Sequence, residues 1–403
     1  MVMKQAYQKN HPTIPYGRQW INEEDIQAVV DTLRSDWLTT GPKVCEFEKA
    51  VADYVGAKYA VAVNSGTAAL HAAMYAVGVE PGNEVILPPM TFVATANCIV
   101  FQGATPVFAD VNPDTLLINP SEVESKITDR TKAIIAVDYA GQPCDYNALR
   151  DIAGRHGLTL VADACHSLGA QFQGRRVGTL ADLSIFSFHP VKHMTTGEGG
   201  IVVTDELEFA ERIRRFRNHG ISVDSRQRAD QGIWYYEMED LGYNYRITDF
   251  QCALGLSQLQ SLTAFLDRRR QIADQYNESF RRLQEVDPLG LREDVLHAYH
   301  LYVVKTQYNN PESGRAKFFK KMREKGIDVN VHYIPVHLHP FYRKRFNTYP
   351  GLCPVAETAY EHILSFPIFP AMKAADVQRV VAAVNDTLSE MREEVISSNR
   401  EEI

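Results

Sequence analysis

Between residues 45 and 220 short runs of β-branched and apolar residues alternate with amphipathic stretches. That alternation narrows the fold more than any other feature. YAVAVNS (59–65), EVILPP (84–89), TPVFADV (105–111), KAIIAVDYA (132–140), LTLVADAC (158–165), LSIFSFH (183–189) and GGIVVTD (199–205) read as strands. Continuous apolar strands must be buried on both faces, and the intervening patterns at 43–55, 66–78, 92–103 and 146–156 supply the covering helices. The expectation is an α/β fold with a mostly parallel central sheet. The strands at 183–189 and 199–205 lie too close for a helical crossover, so one of them is expected to run antiparallel.

Beyond this region the pattern changes. Residues 221–245 are irregular and rich in Arg, Asp, Tyr and Trp, and a loop of that length inside a domain is usually functional. Residues 248–283 read as one long helix or a kinked pair, with Thr248 as its N-cap. Strands at 300–306 and 327–333 and helices at 315–326 and 374–396 form a smaller α+β unit. The expected division is residues 1–265, an N-terminal arm with a large α/β domain, and residues 266–403, with the boundary inside the long helix.

With a net charge of −8 and both signs scattered, the chain has no basic stripe for nucleic acid or a membrane surface. The N-terminal stretch has no apolar core of a signal peptide, and no run approaches a membrane span, so a cytoplasmic location is expected. The six cysteines are far apart and read as free thiols.

Asp163 ends one buried strand and Lys192 follows the next, 29 residues on. Open α/β sheets bind ligands at that edge. A lone aspartate there is as often a cap or turn residue, but a lysine held behind a buried strand by Pro190 and the TTGEGG run is not an ordinary surface charge. An amine and a carboxylate at neighbouring strand ends suit pyridoxal phosphate, which needs a lysine for its aldehyde and an acid against its pyridine nitrogen. NSGTAAL (64–70), a strand, a glycine turn and a helix N-terminus, offers amides to a phosphate; alone it is a weak signal. Ser187 adds a hydroxyl. Phe92 can stack on a ring or simply fill the core. His332, Tyr333 and His337 read as a polar, aromatic cluster suited to a sugar nucleotide. HYIPVHLH has no carboxylate at ligand spacing, so no metal is expected.

These pieces, in order, resemble the DegT/DnrJ/EryC1/StrS sugar aminotransferases. The resemblance runs from IPYGRQWI (14–21) to LSFPIFP (364–370). It includes WLTTGP (37–42), PPMTFVATANC (88–98), VADACHSLGA (161–170), FSFHPVKHMTTGEGG (186–200), RNHG (217–220) and GYNYRITDFQCALGLSQL (242–259). It implies the aspartate-aminotransferase fold (fold type I) and a pyridoxal-phosphate enzyme. Lys192 would carry the cofactor as a Schiff base, with pyridoxamine phosphate formed in turnover, and would act as its acid and base. Asp163 would pair with the ring nitrogen and Phe92 stack on the ring. His166 would contact the ring or its 3-oxygen. Gly66, Thr67, Ala68 and Ser187 would hold the phosphate, and Asn244 would reach the cofactor of a partner subunit in a homodimer. Tyr16, Trp37, Leu38, Thr39, His332 and Tyr333 would face the substrate.

Within that family the resemblance points to an enzyme that aminates C4 of a UDP-linked 4-keto-6-deoxy sugar in pseudaminic acid biosynthesis, with L-glutamate as donor. Another UDP- or dTDP-linked 4-keto or 3-keto sugar is the alternative. A dehydratase of the same fold replaces the lysine with histidine, which Lys192 opposes. An oxidoreductase would need a GxGxxG turn that NSGTAAL lacks. A silent cofactor-holding sensor would not turn over glutamate.

Overall fold

The structure is a computed structural model that describes residues 13–223, 228, 232–307 and 314–401, with side chains described to residue 394. Seven apolar strands form one sheet: β1 (Tyr59–Val63), β2 (Glu84–Leu87), β3 (Thr105–Phe108), β4 (Thr131–Val137), β5 (Thr159–Asp163), β6 (Leu183–Ser187) and β7 (Gly200–Thr204). Their order is β1-β7-β6-β5-β4-β2-β3. The β2–β3, β2–β4, β4–β5 and β5–β6 pairs are parallel. β7 runs antiparallel to both β6 and β1. The reason is the connection: residues 188–199 contain no helix to carry the chain back over the sheet, so it turns and returns alongside. The ends of β5 and β6 therefore lie side by side, and Asp163 and Ser187 share one sheet edge.

Helices α1 (Glu23–Leu33), α2 (Pro42–Val55), α3 (Gly66–Val77), α4 (Val93–Phe101), α5 (Tyr146–His156) and α6 (Leu207–Phe216) accompany this sheet. Their ends follow local chemistry. Gly56, Gly78 and Gly157 take the left-handed conformation that closes α2, α3 and α5. Helix α1 was not among the expected elements. Asn22 and Asp25 form a reciprocal capping box that the sequence already carried.

The long segment is one unbroken helix, α7 (Asp249–Phe280), with Thr248 and Gln251 as its capping box. Its first residue also ties down α2. The fully buried Asp249 carboxylate accepts the amides of Gly41 at 2.8 Å and Lys43 at 2.9 Å, a cap from outside for a helix whose own N-cap is glycine.

Two apolar cores meet along α7. Leu262 and Leu266 belong to the core of the large sheet. Ile272, Ala273, Tyr276 and Phe280 belong to a second core. That second core lies between α8 (Arg315–Glu324), α9 (Ala374–Glu401) and a small antiparallel sheet of β8 (Val286–Pro288), β9 (Tyr302–Thr306) and β10 (Ile363–Phe366). The arm joins it through Ile14, which bridges Ile327.

The strand expected at 327–333 does not form. Ile327 bridges Ile14, while Asn330 bridges Ser365. Two single bridges to different partners make no ladder, so the alternating pattern finds no common edge. Among the described residues no helix is long and apolar enough to cross a membrane.

Candidate active site

Asp163 ends β5 with its carboxylate buried. Thr95, on α4, donates its hydroxyl to Oδ2 at 2.6 Å, and Thr91 supports Thr95 at 2.7 Å. The Cys165 amide donates to Oδ1 at 3.3 Å. These contacts fix the carboxylate while leaving lone pairs for a further donor.

Lys192 sits in the turn after β6, its amide donating to the His189 carbonyl at 2.9 Å. Its Nζ lies 3.5 Å from His300 Nε2. Burial lowers the ammonium from its ordinary range, and Arg269 adds to this, while Cys165 and Asp163 oppose it. A lysine so placed reaches the neutral, nucleophilic form more readily than one in water.

Beside it, Ser65 caps α3 and accepts the Ala68 amide at 3.1 Å. The amides of Gly66 and Thr67 precede the helix's own bonding and point out of its first turn. A Cβ on Gly66 would stand 2.9 Å from Ser187 Cβ and 3.0 Å from its Oγ, so glycine is what lets the two elements close on one another. This brings Gly66, Thr67 and Ser187 together as a cradle. Ala68 lies in the same first turn, its amide donating to Ser65 Oγ.

Histidines line the next wall. The His166 and His300 rings lie 4.3 Å apart, and His166 Nε2 meets the Tyr333 hydroxyl at 3.2 Å. Burial drives both imidazoles well below their usual pKa, with Lys192 adding to it, so both are neutral near pH 7. Tyr333 approaches Phe92 with ring centroids 6.1 Å apart. Phe92 is 56% exposed at the start of α4, so it does not fill the core but faces the opening. His332 is held by Ser365 Oγ at 2.9 Å and lies against the Tyr16 ring at 5.3 Å.

His337 does not join His332 and Tyr333. It is fully buried, and its Nε2 meets Glu357 Oε1 at 2.8 Å. Glu357 also accepts the Gly351 amide, so this pair pins a loop.

Trp37, Leu38, Thr39 and Asn244 lie elsewhere. Among the described residues no contact joins them to Lys192, Asp163 or His332. Thr39 bridges Thr248 and lines a cavity of about 610 Å³ with Arg214, Arg217 and Arg246. Asn244 is exposed beside it, bridging Asn218, and its carbonyl accepts the Asn64 side-chain amide at 3.4 Å.

Three residues at the site escaped the sequence reading: Thr95, His300 and Arg269. Thr95 stands three residues after Phe92 within an apolar helix, where a hydroxyl is out of place. Arg269 is a charge on the buried stripe of α7. The residues present fit pyridoxal phosphate: a carboxylate with free lone pairs, a lysine pushed toward neutrality, an amide-and-hydroxyl cradle, and an exposed aromatic ring at the rim.

The model of the DegT/DnrJ/EryC1/StrS aminotransferase family matches residues 19–385. The chain is 42% identical over 381 residues to the spore coat polysaccharide biosynthesis protein SpsC of Bacillus subtilis, covering 94% of this chain and 98% of that one. Helicobacter pylori PseC, an aminotransferase involved in the biosynthesis of pseudoaminic acid, has a similar solved structure. It gives a TM-score of 0.87 at 33% identity, with 94% of this chain and 100% of that one covered. The sugar aminotransferase Spr1654 of Streptococcus pneumoniae, solved in its PMP form, gives 0.89 at 32% identity, with 94% and 100% covered. The chain, from its arm to its last helix, belongs to the DegT/DnrJ/EryC1/StrS aminotransferase family.

Proposed function

We propose that this enzyme transfers the amino group of L-glutamate to C4 of a UDP-linked 4-keto-6-deoxy sugar. The substrate on this reading is UDP-2-acetamido-2,6-dideoxy-β-L-arabino-hexos-4-ulose. The product is UDP-4-amino-4,6-dideoxy-N-acetyl-β-L-altrosamine, in the pseudaminic acid pathway. As a member of its family the chain is an aminotransferase dependent on pyridoxal phosphate. The observation that carries the reading is the Lys192 amine, depressed by burial, next to the buried Asp163 carboxylate. Likeness to PseC supports the choice of sugar.

Bound pyridoxal phosphate supplies an aldehyde and an electron sink that no side chain offers. In this reading Gly66, Thr67, Ala68 and Ser187 hold its phosphate. Asp163 would keep the ring nitrogen protonated, Phe92 would stack on the ring, and His166 would contact the ring or its 3-oxygen. Lys192 Nζ carries the proton from the donor's Cα, then returns one to C4 of the sugar. Tyr16, His332 and Tyr333 face the sugar nucleotide. The change of core along α7 between Leu266 and Ile272 supports a large cofactor domain, residues 1–265, and a small one, residues 266–403.

A panel of UDP- and dTDP-linked 4-keto and 3-keto sugars, each incubated with glutamate, tests the substrate. The expected result is amination at C4 of the UDP-linked L-arabino sugar, read by mass and NMR, with release of 2-oxoglutarate. Preferential amination of a dTDP sugar or of C3 would overturn the assignment.

The same reading makes the working unit a homodimer. Trp234, Met238 and Leu241 are 85%, 66% and 73% exposed on the loop before Asn244, an apolar surface suited to a second copy. Trp37, Leu38, Thr39 and Asn244 would then serve the partner's site. Lys192→Ala and Asn244→Ala, each impaired, should regain activity when their subunits exchange, because one site of each heterodimer is intact. Unchanged inactivity, with exchange verified by mass, would place Asn244 in its own subunit's site or outside the site altogether.

A further inference from the structure

We propose that His300 is a positioning residue for Lys192: its Nε2 accepts a hydrogen from the free amine and aims the nitrogen's lone pair toward the substrate. The inference rests on Lys192 being the amine that moves the proton.

Three observations converge. The Lys192 Nζ to His300 Nε2 approach of 3.5 Å is the amine's hydrogen-bonding contact among the described residues. His300 is itself held from behind. Arg269, fully buried on α7, donates Nη1 to the carbonyls of Tyr299 at 3.1 Å, His300 at 3.3 Å and Ile368 at 2.8 Å. One guanidinium therefore grips the backbone on either side of the ring and the loop after β10. Finally, the ring is wedged between tilted neighbours, with His166 at 4.3 Å and His193 at 5.6 Å, so it has little room to turn.

The groups facing the amine set the tautomer. Asp163, Cys165, His166, His193, His332 and Arg269 lie within electrostatic reach of it together with His300. Burial, Lys192 and Arg269 all disfavour a second positive charge on His300, so the ring is neutral. A lysine that takes up a proton needs its lone pair free, so the ring nitrogen it meets must be the acceptor. The ring proton then sits on Nδ1, a buried atom with no partner among the described residues. Arg269 thereby couples the long helix that joins the two cores to the orientation of the reacting amine.

The test compares His300→Leu, which removes the acceptor, with His300→Gln, whose amide oxygen can replace Nε2. Single-turnover reaction of the holoenzyme with glutamate should show an unchanged glutamate affinity and a rate constant lowered about tenfold in the leucine variant, as for a misaimed proton carrier. Glutamine should restore most of it. Equal rates in wild type and leucine variant, or no rescue by glutamine in a folded protein, would overturn the proposal.

A second readout needs neither turnover nor a stable variant of each kind. Nitrogen NMR of the histidine-labelled full-length chain, assigned with whichever variant folds, should find His300 protonated on Nδ1 alone at neutral pH. A proton on Nε2 overturns the inference. If wild type shows the expected ring state but fails to react with glutamate, the donor assignment falls while the Lys192–His300 contact stands.

Discussion

Lys192→Ala is expected to abolish amino transfer, by a factor on the order of 10⁴ or more, because one atom serves as both covalent anchor and proton carrier. The loss should be chemical and not structural. Lys192 forms no ion pair among the described residues, and its 3.5 Å approach to His300 is its side-chain hydrogen-bonding contact there. Truncation leaves no buried carboxylate unpaired, and Asp163 keeps Thr95 and the Cys165 amide. The melting temperature should therefore stay close to that of the wild type. Borohydride reduction of the loaded wild type followed by peptide mapping should tag Lys192, and the variant should carry no tag. A tag on another lysine in the wild type would remove the assignment.

Asp163→Asn is the second large effect. Asparagine is nearly isosteric, and its side-chain oxygen can still accept from Thr95, so folding and phosphate binding should persist. The full negative charge is lost, and with it the means of holding a proton on the ring nitrogen. The donor half-reaction with glutamate should slow about 10²–10³-fold, the range typical when a preorganised electrostatic partner is removed. Its measure is the single-turnover rate at saturating glutamate, with cofactor content checked in the same sample. An unchanged rate at full occupancy would show that another group pairs with the ring.

Much of this was legible along the chain, and the reason is local. A buried strand needs an apolar run, and a helix needs a cap and a stripe. Residues 183–187 and 200–204 are too close for a crossover, which fixed the antiparallel strand. Asp163 and Lys192 were found because strand ends and rigid turns are short-range features. The pattern at 327–333 misled because alternation describes what a strand can do, and only an available edge makes it one.

The chain by itself determined the sheet, its caps, and the carboxylate and amine at its edge. Tertiary structure alone decided what surrounds them. His300 reaches Lys192 across 108 positions, Thr95 reaches Asp163 across 68, and His337 turns away to Glu357. None of these pairings has a period or a spacing. Each depends on how elements far apart in the sequence pack around the sheet, where burial fixes which polar groups must find one another.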